Sequence, residues 1–192
     1  MSQERNVLIA LGANLPGRLG PPSATIRRYM GELAPILGIE DLRLFRASSL
    51  WRTPAWPAGS GPDYVNAAAS VPGVALAPIE ILARLHALEA AAGRARGERW
   101  APRTLDLDLL AVGDAVVPDA AAQSAWREAD PEAAGRPDGL VLPHPRMERR
   151  AFVLVPLAEV APRWRHPVTG RSVSEMLAAL PAAERDAVER IA

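Results

Sequence analysis

The sequence contains no cysteine, so it can form neither a disulfide bond nor a thiolate metal site. A long hydrophobic run near the start is also missing. Glu4 and Arg5 precede only the short apolar stretch "NVLIALGA", which fits neither a signal peptide nor a membrane span. These absences predict a cytoplasmic protein. The chain of 192 residues, 49% of them hydrophobic, is long enough to bury one core, and we expect a single domain over residues 1–192.

Lysine is absent too, because all 22 basic residues are arginine. The 22 acidic residues balance them, and a net charge of zero creates no overall field that would favour nucleic acid or an anionic membrane. Any phosphate would have to be bound locally by guanidinium groups, backbone amides or a metal ion. We therefore expect small-molecule substrates, with no nucleic acid and no membrane as partners.

The order of apolar runs and turns predicts an α+β fold. "NVLIALGA" is typical of a buried strand, and a Pro- and Gly-rich loop leads from it to a helix that should stop at Pro35. "DLRLFRASSLWRT" and "DYVNAAASV" are typical of strands, Pro78 begins a second helix, and "LDLDLL" is a further strand. The order strand, helix, strand, strand, helix, strand is that of a ferredoxin-like βαββαβ sandwich.

The rest of the chain is harder to interpret. After a short hairpin, residues 118–139 are rich in Ala, Asp and Pro without clear periodicity, which indicates a long surface excursion. "RRAFVLVPLAEVAP" has a pattern that suits a helix or a strand. Ser172 and Glu175 form a potential capping box, so additional C-terminal helices are expected in a tail from about residue 166.

The stretch "RWAPRTLDLDLL" alternates aspartate and leucine. Period two is the repeat of a strand, so Asp106 and Asp108 should lie on one face and the leucines on the other. Their backbones would be roughly 6.5–7 Å apart, and two like charges at that range favour a cation between them. Alone, such a pair is most often a solvated edge of a sheet.

The residues just before this pair change its interpretation. "GRARGERWAPR" carries Arg94, Arg96, Arg99 and Arg103 around Trp100. A solvated salt-bridge cluster is the simplest explanation. Paired carboxylates that hold hard cations, next to arginines that bind phosphate oxygens, are nevertheless the groups that phosphoryl transfer requires.

Other candidate residues lie elsewhere. "GANLPGRL" is placed like a P-loop but has Arg18 and Leu19 where lysine and a hydroxyl residue are needed, so a loop around the first helix is the better interpretation. Tyr64 and Asn66 share one face of a strand. His144 stands between two prolines, which restrict its backbone.

Taken in order, five segments resemble the motifs of the 6-hydroxymethyl-7,8-dihydropterin pyrophosphokinase family: "LGANL", "SSLWRTPAW", "PDYVNAAASV", "GRARGERWAPRTLDLDLL" and "LPHPRMERRAFVLVPLAEVAP". The resemblance covers roughly residues 5 to 165. It implies a ferredoxin-like fold and transfer of the terminal diphosphate of ATP to a pterin hydroxymethyl group, with AMP as the other product.

The resemblance also implies roles for individual residues. Asp106 and Asp108 match the aspartates that hold two Mg²⁺ ions, and together with Arg94 and Arg103 they form the expected catalytic set. The pterin-binding positions are Thr53, Pro54, Tyr64, Asn66, Trp100 and Phe152. The ATP-binding positions are Glu89, Arg96, Trp100, Arg103, His144 and Arg150. A monomer is expected.

Some features depart from the family pattern. The loop "GRARGERW" is one residue shorter than the usual spacing, which leaves the pairing of Arg96 and Arg99 with particular phosphates open. His86 stands where a glutamine is common, and the excursion is longer than expected. Two alternatives stay open: a ferredoxin-like RNA-binding module, although its aromatic strand signature is absent, and a phosphotransferase for another hydroxymethyl heterocycle.

Overall fold

The computed structural model describes residues 5–55, 59, 61–93, 103–130, 135 and 137–191. Within these ranges the protein is a mixed α/β structure built on one antiparallel sheet. The strands are β1 Val7–Ala13, β2 Arg46–Ala47, β3 Trp51–Thr53, β4 Tyr64–Val71, β5 Asp106–Val112 and β6 Glu189–Arg190. The helices are α1 Pro22–Ile36, α2 Pro78–Ala91, α3 Ala120–Glu128, α4 Ala151–Val160, α5 Val173–Ala178 and α6 Ala182–Asp186. Short 3-10 turns occupy Leu42–Leu44 and Met147–Arg149.

The sheet has the strand order β5-β1-β4-β3-β6, and β2 also pairs with β4. Strand β1 therefore lies between β5 and β4, and Gly12 on it pairs with Asn66 of β4 on one side and with Asp106 of β5 on the other. Because all these pairs are antiparallel, the end of β1 meets the starts of β4 and β5. This register brings residues that are far apart in the sequence to one end of the sheet.

Both faces of the sheet are covered, which explains the continuous apolar run of β1. Ile9 and Leu11 pack into a core with α1 and α2, whereas Leu8 and Ala10 pack into a second core with α4 and α5. A strand that is buried on both faces needs apolar residues at every position. On β5, Leu107 and Leu109 enter the first core. Asp106 and Asp108 alternate with them and therefore face the side of α4.

Several expectations on local structure need correction. "DLRLFRASSLWRT" is not one strand: the 3-10 turn, β2 and β3 divide it, because Ser48 interrupts the pairing by exchanging hydrogen bonds with Ala68 through its backbone N–H and its hydroxyl. Helix α1 continues one residue past Pro35. The tail after residue 166 contains α5 and α6, as expected, and also strand β6, which pairs with β3.

The excursion at 118–139 is not irregular throughout, because it contains α3. Asp119 caps this helix by accepting a hydrogen bond from the Ala122 N–H at 2.8 Å. Two backbone hydrogen bonds of 2.9 Å join Val117, just before the excursion, to Leu142, just after it. The buried Gln123 of α3 donates to the Pro143 carbonyl at 3.2 Å. The excursion is thereby attached to the segment that leads to His144.

The ambiguous segment "RRAFVLVPLAEVAP" forms helix α4, and the capping box of Ser172 and Glu175 is present at the start of α5. Helix α4 lies on the sheet face that carries Asp106 and Asp108. Among the described residues, no helix is both long and apolar enough to cross a membrane.

Candidate active site

Strand β5 presents its two aspartates as the alternation predicts. Leu105 and Leu107 are buried, whereas the side chains of Asp106 and Asp108 are 24% and 35% exposed. Both carboxylates therefore reach a part-open face of the sheet next to the start of α4. A ligand can therefore reach both carboxylates without any change in the pairing of β5.

Each carboxylate has its own guanidinium group. Arg103 forms an ion pair and hydrogen bond with Asp106. Arg150, directly before α4, places Nη1 3.6 Å from Oδ2 of Asp108. These cations offset the mutual repulsion that two neighbouring carboxylates would otherwise suffer. Both arginines are themselves part-exposed, so they remain available to a phosphate group.

Glu89 anchors the backbone between the two aspartates. This residue of α2 is only 5% exposed, and its Oε1 accepts a hydrogen bond from the Leu107 N–H at 2.8 Å. Because β5 is an edge strand, the carboxylate supplies an acceptor to β5 where no further strand is available. The expected role of Glu89 in ATP binding stays a prediction, whereas its contact with the backbone of β5 is a feature that sequence reasoning missed.

Phe152 is exposed at the start of α4. Its side chain is one of the large apolar side chains that are exposed in the described part of the chain, at 39% exposure. The Arg150 guanidinium carbon lies 5.6 Å from the centre of its ring, within the range of a cation–π interaction. The pair combines an aromatic face with a positive charge beside Asp108.

Tyr64 and Asn66 lie at the start of β4, on the same sheet face as Asp106. Asn66 is buried, and its Nδ2 donates to Oγ1 of the buried Thr53 at 2.9 Å. Tyr64 pairs with Thr53 across β3 and β4, and the exposed Pro54 follows β3. Burial raises the pKa of Tyr64, and Asp106 adds to the rise while Arg103 opposes it. The phenol therefore stays protonated and close to the charged groups.

Gly12 of β1 lies between Asn66 of β4 and Asp106 of β5. A Cβ placed on Gly12 would lie 3.4 Å from Oδ1 of Asn66, in van der Waals contact with it. A larger side chain at this point would project between Asn66 and Asp106, its two partners in the sheet. With glycine at this position, no side chain of β1 stands between Asn66 and Asp106.

His144 is fixed next to β5. Its backbone N–H donates to the Leu110 carbonyl at 2.8 Å, and its Nδ1 accepts a hydrogen bond from the Arg146 N–H at 3.1 Å. Burial lowers the pKa of His144 to about 4, with Asp108 opposing the shift and Arg150 and Arg146 adding to it. The ring is therefore neutral at physiological pH, and because Nδ1 accepts, its proton is on Nε2.

Asn14, which follows β1, joins both sides of the site and was not predicted to belong to it. Its Oδ1 accepts from the Arg103 N–H at 2.8 Å, and its Nδ2 donates to the Pro62 carbonyl at 3.3 Å. The only signal in the sequence was its place in the "LGANL" motif. The structure thus brings together the predicted residues on β3, β4, β5 and around α4, whereas Arg94, Arg96 and Trp100 lie outside the described residues.

The paired carboxylates suit a hard cation such as Mg²⁺. Among the described residues, no group of three or more His, Cys, Asp or Glu side chains could hold a metal ion by itself. Mg²⁺ characteristically uses one or two carboxylates and takes its other ligands from water and substrate phosphates. The donor set therefore fits metal that arrives with a phosphorylated substrate.

The sequence model of the family described as 7,8-dihydro-6-hydroxymethylpterin-pyrophosphokinase (HPPK) matches residues 8–162. The chain belongs to the HPPK family. Relatives named 2-amino-4-hydroxy-6-hydroxymethyldihydropteridine pyrophosphokinase include a Synechocystis protein, 38% identical over 85% of this chain and 72% of its own length. A Mycobacterium tuberculosis protein is 35% identical over 95% and 87%, and one from Pseudomonas aeruginosa is 34% identical over 92% and 93%.

Solved structures support the HPPK fold of the chain. The crystal structure of Plasmodium falciparum HPPK-DHPS wild type with pteroate aligns at a TM-score of 0.56 and 11% identity, covering 93% of this chain. A structure of HPPK-DHPS in complex with substrates aligns equally well, at 0.56 and 10% identity. This chain spans 42% and 43% of those longer chains, and at such identities the likeness concerns the fold alone.

Proposed function

We propose that this chain catalyses the magnesium-dependent transfer of diphosphate from ATP to 6-hydroxymethyl-7,8-dihydropterin. Its family membership and the names of its relatives make it a pyrophosphokinase of folate biosynthesis. The observation that carries the detailed proposal is the pairing of Asp106 with Arg103 and of Asp108 with Arg150, on the face that also holds Tyr64. An aromatic group beside paired carboxylates and arginines suits a flat heterocycle next to a polyphosphate.

The reaction joins the pterin hydroxymethyl oxygen to the β-phosphorus of ATP. As that bond forms, the bond between the β-phosphorus and the oxygen bridging it to the α-phosphate breaks, and its electron pair leaves with AMP. The hydroxyl proton is released. Negative charge grows on the departing oxygen, so cationic groups beside it lower the barrier. We propose that Arg103 and Arg150, which lie beside Asp106 and Asp108, act in this way and that Arg94 assists.

The pterin is proposed to bind at the start of β4. Tyr64 and Phe152 would contact its two faces, and Asn66 would hydrogen-bond its polar edge. The bond from Asn66 Nδ2 to Thr53 holds the amide in one orientation, which leaves Oδ1 as the acceptor for a pterin N–H. Pro54 and Trp100 are proposed to line the same pocket.

The proposed metal ligands are Asp106 and Asp108, and two Mg²⁺ ions are expected from the family. When bound, magnesium would neutralise phosphate charge and hold the polyphosphate in line with the attacking oxygen. The contribution of the chain is to point both carboxylates to one face of the sheet. The alternation of β5 and the Glu89 anchor achieve this.

ATP is proposed to contact the residues around Asp108. The neutral ring of His144 offers its Nε2–H as a donor to a phosphate or ribose oxygen. Arg150 supplies charge, and Glu89, Arg96 and Trp100 are the further positions that the family pattern assigns to ATP.

Three broader features are part of the proposal. The strand order β5-β1-β4-β3 with α1 and α2 as crossings supports a ferredoxin-like arrangement. One domain over 1–192 is supported by cores that both contain residues of β1. We also propose that the protein acts as a cytoplasmic monomer on small molecules, with no nucleic acid or membrane partner, as its balanced charge suggests.

A product analysis tests the reaction. The protein is incubated with ATP, Mg²⁺ and 6-hydroxymethyl-7,8-dihydropterin, and the nucleotides are separated. Formation of AMP and pterin diphosphate in equal amounts is expected, with none when the pterin is left out or EDTA is added. Formation of ADP would show transfer of a single phosphate and contradict the proposal. Turnover only with a different hydroxymethyl heterocycle would contradict the assigned substrate.

A further inference from the structure

Asn14 stands where β1 ends, and its contacts continue the pairing of β1 with both neighbours. Its backbone N–H and that of Leu15 donate to the Arg103 carbonyl at 3.0 and 3.2 Å, and its Oδ1 accepts from the Arg103 N–H at 2.8 Å. Both the N–H and the carbonyl of Arg103 are therefore hydrogen-bonded to the segment that follows β1. The residue is 3% exposed.

The same side chain reaches the other side of the sheet. Nδ2 of Asn14 donates to the Pro62 carbonyl at 3.3 Å, two residues before Tyr64. A Cβ placed on Gly61 would lie 3.5 Å from that nitrogen, so the loop backbone packs directly against the amide. Asn14 is thus hydrogen-bonded both to the segment that carries Arg103 and to the segment that leads into Tyr64.

We propose that Asn14 is a positioning residue that fixes the distance between the pterin subsite and the phosphate subsite. This inference rests on the proposed function, because Tyr64 belongs to the first subsite and Arg103 to the second. Transfer between two bound substrates requires the reacting atoms to be held about 3–3.5 Å apart, and an error near 1 Å costs about 10²-fold in rate. A residue that sets this distance affects turnover more than the binding of either substrate alone.

The amide is chemically suited to this task, because one side needs an acceptor and the other needs a donor. Alanine removes both hydrogen bonds. Aspartate keeps the acceptor for the Arg103 N–H, but its ionised carboxylate cannot donate to the Pro62 carbonyl. Asn14→Asp therefore removes one half of this clamp, the hydrogen bond to the Pro62 carbonyl.

The test compares kcat, KM and separately measured dissociation constants for Asn14→Ala, Asn14→Asp and wild type. Asn6→Ala is the matched control, because Asn6 precedes the opposite end of β1. We expect Asn14→Ala to lower kcat at least tenfold while each dissociation constant stays within about threefold. Asn14→Asp loses only the bond to Pro62 and should lower kcat more than twofold, again with each dissociation constant within about threefold. Asn6→Ala should keep wild-type kcat.

Three outcomes would overturn the proposal: a kcat of Asn14→Ala within twofold of wild type, a tenfold weaker affinity with unchanged kcat, or a kcat of Asn14→Asp within twofold of wild type. If the alanine variant does not fold, the kcat of Asn14→Asp decides. If wild type forms no AMP, the proposed function fails instead. The clamp is then tested by hydrogen exchange of the Arg103 amide in ligand-free protein, whose protection Asn14→Ala should reduce at least tenfold and whose unchanged protection would refute the contact.

Discussion

Replacing Glu89 distinguishes an anchor of β5 from a direct ATP contact. In the structure the buried carboxylate accepts the Leu107 N–H at 2.8 Å. A hydrogen bond to a charged group contributes about 1.5–3 kcal/mol, and a neutral one about 0.5–1.5 kcal/mol. Glu89→Gln keeps a neutral acceptor, so we expect it to lower the free energy of unfolding by about 1 kcal/mol.

Glu89→Ala removes the acceptor altogether. The buried N–H of Leu107 then loses its partner, which costs about 1–3 kcal/mol, and the missing side-chain atoms leave a small cavity that adds about 1 kcal/mol. We therefore expect a total loss of about 2–4 kcal/mol. Because the unanchored peptide lies between Asp106 and Asp108, turnover should fall as well.

Urea unfolding in EDTA measures the first effect, and calorimetric titration with ATP and Mg²⁺ measures nucleotide affinity. Glu184→Ala is the control, since this glutamate is exposed on α6 and should change neither quantity by more than about 0.5 kcal/mol. If Glu89→Ala unfolds at the wild-type urea concentration but binds ATP much more weakly, the carboxylate is a ligand contact and the anchoring argument is wrong.

Three further predictions concern the site. Asp106→Asn and Asp108→Asn should each lower kcat by about 10²-fold or more, while the metal-free melting temperature stays within a few degrees, because part-exposed ion pairs contribute less than about 1 kcal/mol; near-normal turnover in both would exclude the metal role. Tyr64→Ala and Phe152→Ala should each weaken pterin binding by about 1–3 kcal/mol, since aromatic contact area is lost; an equal loss of ATP affinity in separate titrations would place these rings in the core instead. The lowered pKa of His144, about 4, means that the unfolded chain takes up a proton first as the pH falls. The free energy of unfolding that this difference contributes is thus complete above pH 6.5 and falls by about 3 kcal/mol toward pH 4. Unfolding curves of His144→Gln should show that much less pH dependence than wild type, and identical curves would refute the shift.

The sequence predicted those parts of the fold that depend on local periodicity. The alternation of "LDLDLL" placed Asp106 and Asp108 on one face, and the unbroken apolar run of β1 indicated a fully buried strand. Both patterns reflect which face of a strand meets a core, and that information is carried by neighbouring residues.

Local patterns could not predict contacts between distant segments. Arg150 and Asp108 are partners only because α4 packs on the face of β5, and nothing near either residue encodes that choice. Helix α3 was overlooked although Asp119 is an N-cap residue, because the helix is short and its alanines show no periodicity. The segment of α4 has apolar residues nearly throughout, so pattern alone could not separate a buried helix from a strand.

The position of β1 between β4 and β5 has a consequence for folding. The strand that comes first in the chain finds one partner in β4 and the other in β5, and the hydrogen bond between Asn14 and Arg103 spans 89 residues. Closing a loop of that length costs roughly 4 kcal/mol of chain entropy. We therefore expect such contacts to form late and to slow folding. Every subsite adjoins this late junction. A refolding intermediate that holds only the β1–β4 pairing would show native-like circular dichroism without turnover, and the appearance of activity would time the docking of β5.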